Sequence, residues 1–464
     1  MIAHTIHESV GDVRLVRFDA ATSSFQVFCL VGAPSPEVSA MLQALYSRNP
    51  ASIATRIEAL TSEGAQKFMG RFYLNYGHNS IGDCGNVTLF FEGVPMHVAK
   101  AIQSHALYNG QEASTRYMDF STNDALNTSG NPRVSEIQAA WLAFYRGSQE
   151  RLKEHLREQF PLQEDEDPKV YERAINARTF DVLRSFLPDG MPTNVSWTVS
   201  LRVARDHLSM LTQHPDLDVR TVAQQALDGL AELFPGSFGK RVSDEKLAEY
   251  QQILALLPSL TDAHRSIGND IQVTNAVAMN AMSTEVREWF KRRPPFVIVP
   301  DVFKMLGDVS VRMLLDYGSF RDIQRHRAVA IPVPVLDVDL GFETWYLDQL
   351  PADLRAQAEA LIQSQTTAIQ AINNRYERQL ATAMGFRVPV VITGGLPGTI
   401  YYVELRSRTD VHPTLREKIR VVGQKLREQL SDIALQVDDN TDDFSRRRGT
   451  STIIDKATGN AVSD

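Results

Sequence analysis

VPMHVAKAIQSHALYNGQEASTRY, residues 94–117, begins as a helix and ends as a loop crowded with polar groups. Val94, Val98 and Ile102 recur at helical spacing directly after NVTLFFEG, a strand by its Val, Thr, Leu and Phe content. The helix runs out at Tyr108-Asn109-Gly110, and Gln111, Glu112, Ser114, Arg116 and Tyr117 follow. A hydroxyl and a guanidinium two residues apart can grip one phosphate from the same side, and Glu112 can accept from a ribose hydroxyl or a base. The plain reading of the same residues is a solvated helix end with a Glu–Arg surface pair.

Strand, turn and helix is the local grammar on either side. DVRLVRFDAATSSFQVFCLVG suggests two strands, and PSPEVSAMLQALYSR and PASIATRIEALTSEGAQKFMGRFY read as helices opened by Pro, Ser and Glu. From about residue 134 the chain reads as amphipathic helix interrupted by the acidic loop QEDEDPK, and FPGSFGKRVSDEK marks an exit near residue 240. Beyond it, VFKMLGDVSVRMLLDYGSFRDIQRHR shows a long helical pattern, AIPVPV an extended proline-spaced strand, and residues 351–384 one long helix. GFRVPVVITGG and TIYYVELRSR read as strands, or as a strand and a buried turn, before a final basic helix, PTLREKIRVVGQKLREQL. The expected organisation is two units of similar size, 1–240 and 241–437, followed by a polar, loosely ordered tail over 438–464.

With 464 residues the chain has room for two large domains or about three ordinary ones. Its 43% apolar and 22% charged residues describe a folded, soluble protein and exclude a disordered or fibrous one. The net charge of −8, from 48 Lys+Arg against 56 Asp+Glu, argues against generic adhesion to nucleic acid or to anionic membrane. Any anionic ligand must be met by a few placed arginines. Cys29 and Cys84 make no disulfide framework, no run approaches a bilayer span, and MIAHTIHESVGDV has no signal-peptide pattern, so a cytoplasmic protein is expected. No His/Asp/Glu set shows metal-ligand spacing, and Cys84 reads as a structural thiol because no cation beside it in sequence would lower its pKa.

A second polar constellation lies at residues 319–332, SFRDIQRHRAVAIP, where Arg321, Arg325 and Arg327 surround His326. Arg321 and Arg325 are four apart on one helix face and repel unless an anion lies between them. Salt bridges to acidic residues elsewhere would satisfy them equally well.

Together these residues resemble the flavin-dependent thymidylate synthases (ThyX), whose signature R-H-R-x-x-S-x-N-E-x-S-x-R-Y is preceded upstream by G-H-x-S/T. Residues 94–117 are similar to that helix and loop without a gap, and YGHNS at 76–80 resembles the upstream motif. The tail of the signature is kept and its head is not: Ser104-His105-Ala106 stands for Arg-His-Arg, Asn109 for the first Ser and Gln111 for the Asn. A further likeness runs from Arg184 to Val199, and the flavin-binding N-x-R reads Ser209-Met210-Leu211. The second half is complementary: Arg325-His326-Arg327 is kept, the loop after it is lost, Glu404-Leu405-Arg406 resembles N-x-R, and Arg416 falls where the family's uracil-ionising arginine stands.

The resemblance implies an α+β fold of two ThyX-like units in tandem, each a mixed sheet packed with long helices, joined as a pseudo-dimer that pairs into a homodimer. It implies FAD-dependent transfer of a one-carbon unit from methylenetetrahydrofolate to carbon 5 of a uracil nucleotide, with NADPH as reductant; another pyrimidine acceptor, or a non-catalytic nucleotide- or flavin-binding protein, are the alternatives. By the same resemblance Glu112, Ser114, Arg116, Tyr117 and Arg416 bind substrate, His78, Ser80, Arg325, His326, Arg327 and Arg406 bind flavin or folate, and Arg416 and His326 act in catalysis.

Overall fold

The computed structural model describes residues 4–10, 13–19, 24–46, 61–239, 244–256, 261–295 and 297–442, with 444, 449, 454 and 455. The opening turns of the helix expected over 50–73, residue 240 and much of the tail lie outside them. The chain divides into two compact units, Met1–Ala113 with Pro192–Leu257 and Ser114–Met191 with Pro258–Asp464. Each is assembled from two stretches of sequence.

The first unit is built on a five-stranded antiparallel sheet, β1 (His4–Val10), β2 (Val13–Phe18), β3 (Gln26–Val31), β4 (Asn86–Val94) and β5 (Thr193–Ser200), in that spatial order. Val87, Leu89 and Phe91 of β4 are buried while the residues between them are not, the period-two signature of a strand with one face in the core. Leu89 pairs with Cys29 on one side and Trp197 on the other. Pro95 turns β4 into the Met96–Ile102 helix, and Ser200 caps Leu201–Leu211 through its side chain to the Val203 N–H. Asn109 and Glu112 bridge to Thr198 and Val195 of β5. That approach requires Gly110, where a Cβ would lie 1.8 Å from the Ser196 carbonyl oxygen.

In the second unit β6 (Gln272–Asn275), β7 (Asp308–Asp316) and β8 (Arg387–Gly395) form an antiparallel sheet with β7 in the middle. The expected β8 is present. The long helical pattern over 302–327 resolves differently: 308–316 is the central strand and only Tyr317–Ile323 is helical. Val309, Val311 and Met313 alternate inward, and pairing on both edges outweighs the helical spacing of the leucines. TIYYVELRSR is helix rather than strand, because Pro397 at the first turn opens Leu396–Arg406, a helix buried along most of its length. The helix expected over 351–384 breaks at Ala371–Asn374 into Ala352–Gln370 and Arg375–Ala381, the second capped by Asn374.

Both units repeat one sequence of elements. In each, a nine-residue strand (β4, β7) leads into a seven-residue helix, and a histidine follows three residues past its end, His105 in one and His326 in the other. In each, the last strand of the pair leads into an eleven-residue helix whose final residues are Ser209-Met210-Leu211 or Glu404-Leu405-Arg406. The expected α+β class, with antiparallel sheets and long helices, is what the chain forms.

Candidate functional site

The cationic residues of the second unit converge on Asp322, in the last turn of the Tyr317–Ile323 helix. Arg184 donates to its carboxylate at 3.2 Å and Arg325 lies 3.6 Å away. Burial opposes the charge of Asp322, but Arg184, Arg325, Arg116 and Arg406 together hold its carboxyl far below the ordinary range. Arg406, at the end of Leu396–Arg406, donates its Nε–H to His326 Nε2 at 2.7 Å. Burial first, then Arg406 and Arg325, lower the pKa of His326 to about 3. The imidazole is therefore neutral, and because Nε2 accepts, its proton sits on Nδ1.

Arg116 reaches this cluster from the loop after residue 113. Its guanidinium is gripped in a two-pronged bond by Asp181, at 2.8 and 3.0 Å, and gives a third donor to the Asp410 carbonyl at 3.2 Å. Ser114 accepts from the Arg116 backbone N–H at 3.2 Å, a local turn, while Tyr117 is half-buried. Asp181 thus takes Arg116 and Asp322 is shared by Arg184 and Arg325, whereas the neighbour of Arg406 is a neutral ring. Arg325 and Arg327 are exposed. Asp316 and Asp410 also act on Arg184 and Arg406, so the exposed Arg325 and Arg327 are the cations placed to meet an anionic ligand.

A cavity of about 510 Å³ in the same unit begins at Ala328, directly after Arg327, and is walled by Val299, Pro397, Tyr401 and Leu405 with Arg408 at its edge. Tyr401 lies 6.0 Å from the His326 ring. Volume and mostly apolar lining are those of a small-molecule pocket. Glu404 is turned to Arg293 and accepts the Gln436 N–H.

Arg416 is buried and satisfied elsewhere in this unit. It donates to the carbonyls of Ser407 (3.0 Å), Asp442 (2.6 Å) and Asn440, with Asp438 at 3.8 Å. The tail residues that the structure describes are therefore tied down, and Phe444 stacks on Phe160 at 4.2 Å.

The remaining motif residues belong to the first unit. Glu112 makes an ion pair with the fully buried Lys100 at 2.5 Å and accepts from Gln103 at 3.0 Å. His78 stacks on Tyr76 at 4.5 Å, and Ser80 is exposed, its carbonyl accepting from the Cys84 thiol. Burial and Asp83 raise the Cys84 pKa, which leaves the thiol protonated. A cavity of about 910 Å³ gathers Asn79, Ser104, His105, Ala106, Ser209 and Met210, the degenerate motif positions, beside Arg205, Asp206 and His207. Arg205 is paired with Asp206 at 2.6 Å, and His207 is held neutral, its pKa lowered to about 4 by burial and by His105.

Of the polar partners, Asp322 had a signal in sequence, since it stands three residues before Arg325. Asp181 had none; it is 65 residues from Arg116.

What the fold defines is an α+β protein on two antiparallel sheets, in which Ser104-His105-Ala106 and Ser209-Met210 line one cavity and Glu404-Leu405 another. Residues 32–236 match the family described as thymidylate synthase complementing protein (Thy1). Arg325-His326-Arg327 lies beyond the matched residues. Relatives include the UPF0159 protein Ta1429 of Thermoplasma acidophilum, 25% identical with 76% of this chain and 85% of that protein covered. A UPF0159 protein of Chlamydia muridarum is 21% identical, with 76% and 77% covered. Solved structures similar to the chain include the UMP/dUMP methylase PolB from Streptomyces cacaoi bound with 5-Br dUMP (16% identical, 47% and 93% covered, TM-score 0.33). Another is the flavin dependent thymidylate synthase ThyX from Helicobacter pylori complexed with FAD and dUMP (13%, 44% and 95%, TM-score 0.25). Among the described residues no helix is long and apolar enough to cross a membrane.

Proposed function

We propose that this chain is a tandem ThyX-like transferase that uses FAD to place a one-carbon unit, reduced to methyl, on carbon 5 of a uracil nucleotide. The observation that carries the reading is the meeting of Arg116, Arg184, Arg325 and Arg406 around Asp322 and the neutral His326, next to an apolar cavity. The match of residues 32–236 to the thymidylate synthase complementing family supports it. The sequence division into 1–240 and 241–437 as a pseudo-dimer, with methylenetetrahydrofolate and NADPH as co-substrates and a homodimer as the assembly, belongs to the same proposal.

The residues present fit FAD: a pyrophosphate matches the exposed guanidinium groups of Arg325 and Arg327, and a flat ring matches the cavity beside Tyr401 and Ala328. Arg325, Arg327 and Arg406 would hold the phosphates. FAD would supply the hydride-transfer chemistry. His326 offers its Nδ1–H as a donor because Arg406 fixes the other nitrogen, and Arg116 acts as a positioning residue through Asp181. With Arg416 bonded to carbonyls, stabilisation of a negative pyrimidine would require the 438–442 segment to move or would fall to Arg325.

The test is direct. The purified chain should show flavin absorbance or gain thermal stability with FAD, and should convert dUMP or UMP to the 5-methyl product when given methylenetetrahydrofolate and NADPH, read by mass spectrometry. Flavin binding without product would leave a binding protein, and neither signal would reject the proposal.

A further inference from the structure

In the first unit, His97 on the Met96–Ile102 helix meets Asp216 and Asp218 at the start of the Leu217–Leu233 helix. All three are buried, at 4%, 4% and 9% exposure, and one ligand atom from each lies within 4.8 Å of the others. His97 Nε2 stands 3.4 Å from Asp216 Oδ1. That is longer than the roughly 2.7–2.9 Å of a charge-assisted hydrogen bond. It equals the edge of about 3.4 Å that separates two ligands of a tetrahedral ion bound at about 2.1 Å.

From this geometry we infer that His97, Asp216 and Asp218 bind one divalent transition-metal ion, of the class that accepts mixed imidazole and carboxylate ligands, such as Zn²⁺. Sequence spacing conceals the site because His97 and Asp216 are 119 residues apart. The ion joins two helices that wall the 910 Å³ cavity, since Ser104 and His105 follow the first and Gln224 and Leu227 lie on the second. The inference does not depend on the flavin reading; either can fail alone.

Full-length protein stripped with EDTA and then given Zn²⁺ should retain about one equivalent through gel filtration and unfold at a higher temperature. Asp218→Asn and His97→Gln should each weaken Zn²⁺ binding about tenfold or more, while Asp228→Asn, on the outside of the same helix, should not. Zinc-edge absorption spectroscopy on the unaltered protein should show one imidazole and two carboxylate ligands at about 2.0–2.2 Å, a result that stands even if a variant does not fold. Substoichiometric retention, binding undiminished in Asp218→Asn, or a spectrum with sulfur or several imidazoles would overturn the site.

Discussion

Arg116 has both prongs on Asp181, inside the second unit, and the pair is best understood as a buried ion pair that fixes the loop beside the cationic cluster. Removing one partner of such a pair costs about 3–5 kcal/mol, because the other is left charged and enclosed. Arg116→Ala is accordingly expected to lower the thermal midpoint markedly, and adding Asp181→Asn to recover part of the loss. A midpoint unchanged in the single variant would show that the pair is dispensable. The neutral histidines give a second expectation. His326 and His207 have pKa values lowered to about 3 and about 4, against about 6.5 in an unfolded chain. Between those limits the unfolded state binds more protons, so the stability they contribute is complete above pH 6.5 and is lost as pH falls toward 3 to 4. Each adds a slope of about 1.4 kcal/mol per pH unit within its window. Urea titrations at pH 7, 6, 5 and 4 should show the decline, and His326→Gln should flatten it.

At the scale of elements, the strand-to-helix junction is the recurring device, and its tight points are glycines. Gly110 lets the 108–112 segment lie on β5, where Tyr108 donates to the Ser196 carbonyl at 2.8 Å. Gly110→Ala drives a methyl into that carbonyl and is expected to cost about 1–3 kcal/mol as a steric overpacking. The change should also release the Glu112–Lys100 pair, which hydrogen exchange across 108–113 would detect; unaltered protection would mean that the loop does not depend on this approach. The elements misread from sequence are instructive here. VSVRMLLD carries helix-compatible and strand-compatible spacing at once, and only neighbours on both edges choose the strand. TIYYVEL is rich in β-branched and aromatic residues, yet Pro397 and burial make it helical.

For the molecule as a whole, the C-terminal segment is a structural member. Arg416, Arg420 and Arg427, along one helix, give their donors to backbone or carboxylate groups of residues 435–442. Truncation after Val437 removes most of these acceptors and the Phe444 stack on Phe160, and is expected to lower the thermal midpoint by several degrees. It also frees Arg416. If that arginine serves an anionic ligand once released, the truncated chain should bind dUMP more tightly than the full chain by calorimetry, and equal affinity would assign Arg416 to anchoring alone.

The α+β class, the strands β4 and β8, the helices between residues 132 and 183 and the first histidine-bearing junction were legible in sequence, because strand and helix periodicity and capping residues are local properties. The motif residues were legible for the same reason: hydroxyl, carboxylate and guanidinium recur at short fixed spacing. Their partners were not. That Arg116 meets Asp181, that Asp322 collects guanidinium groups from four segments, and that His97 meets Asp216 follow from long-range packing. Only the folded chain brings such distant side chains into one low-dielectric space and so decides which charges are already neutralised and which await a ligand.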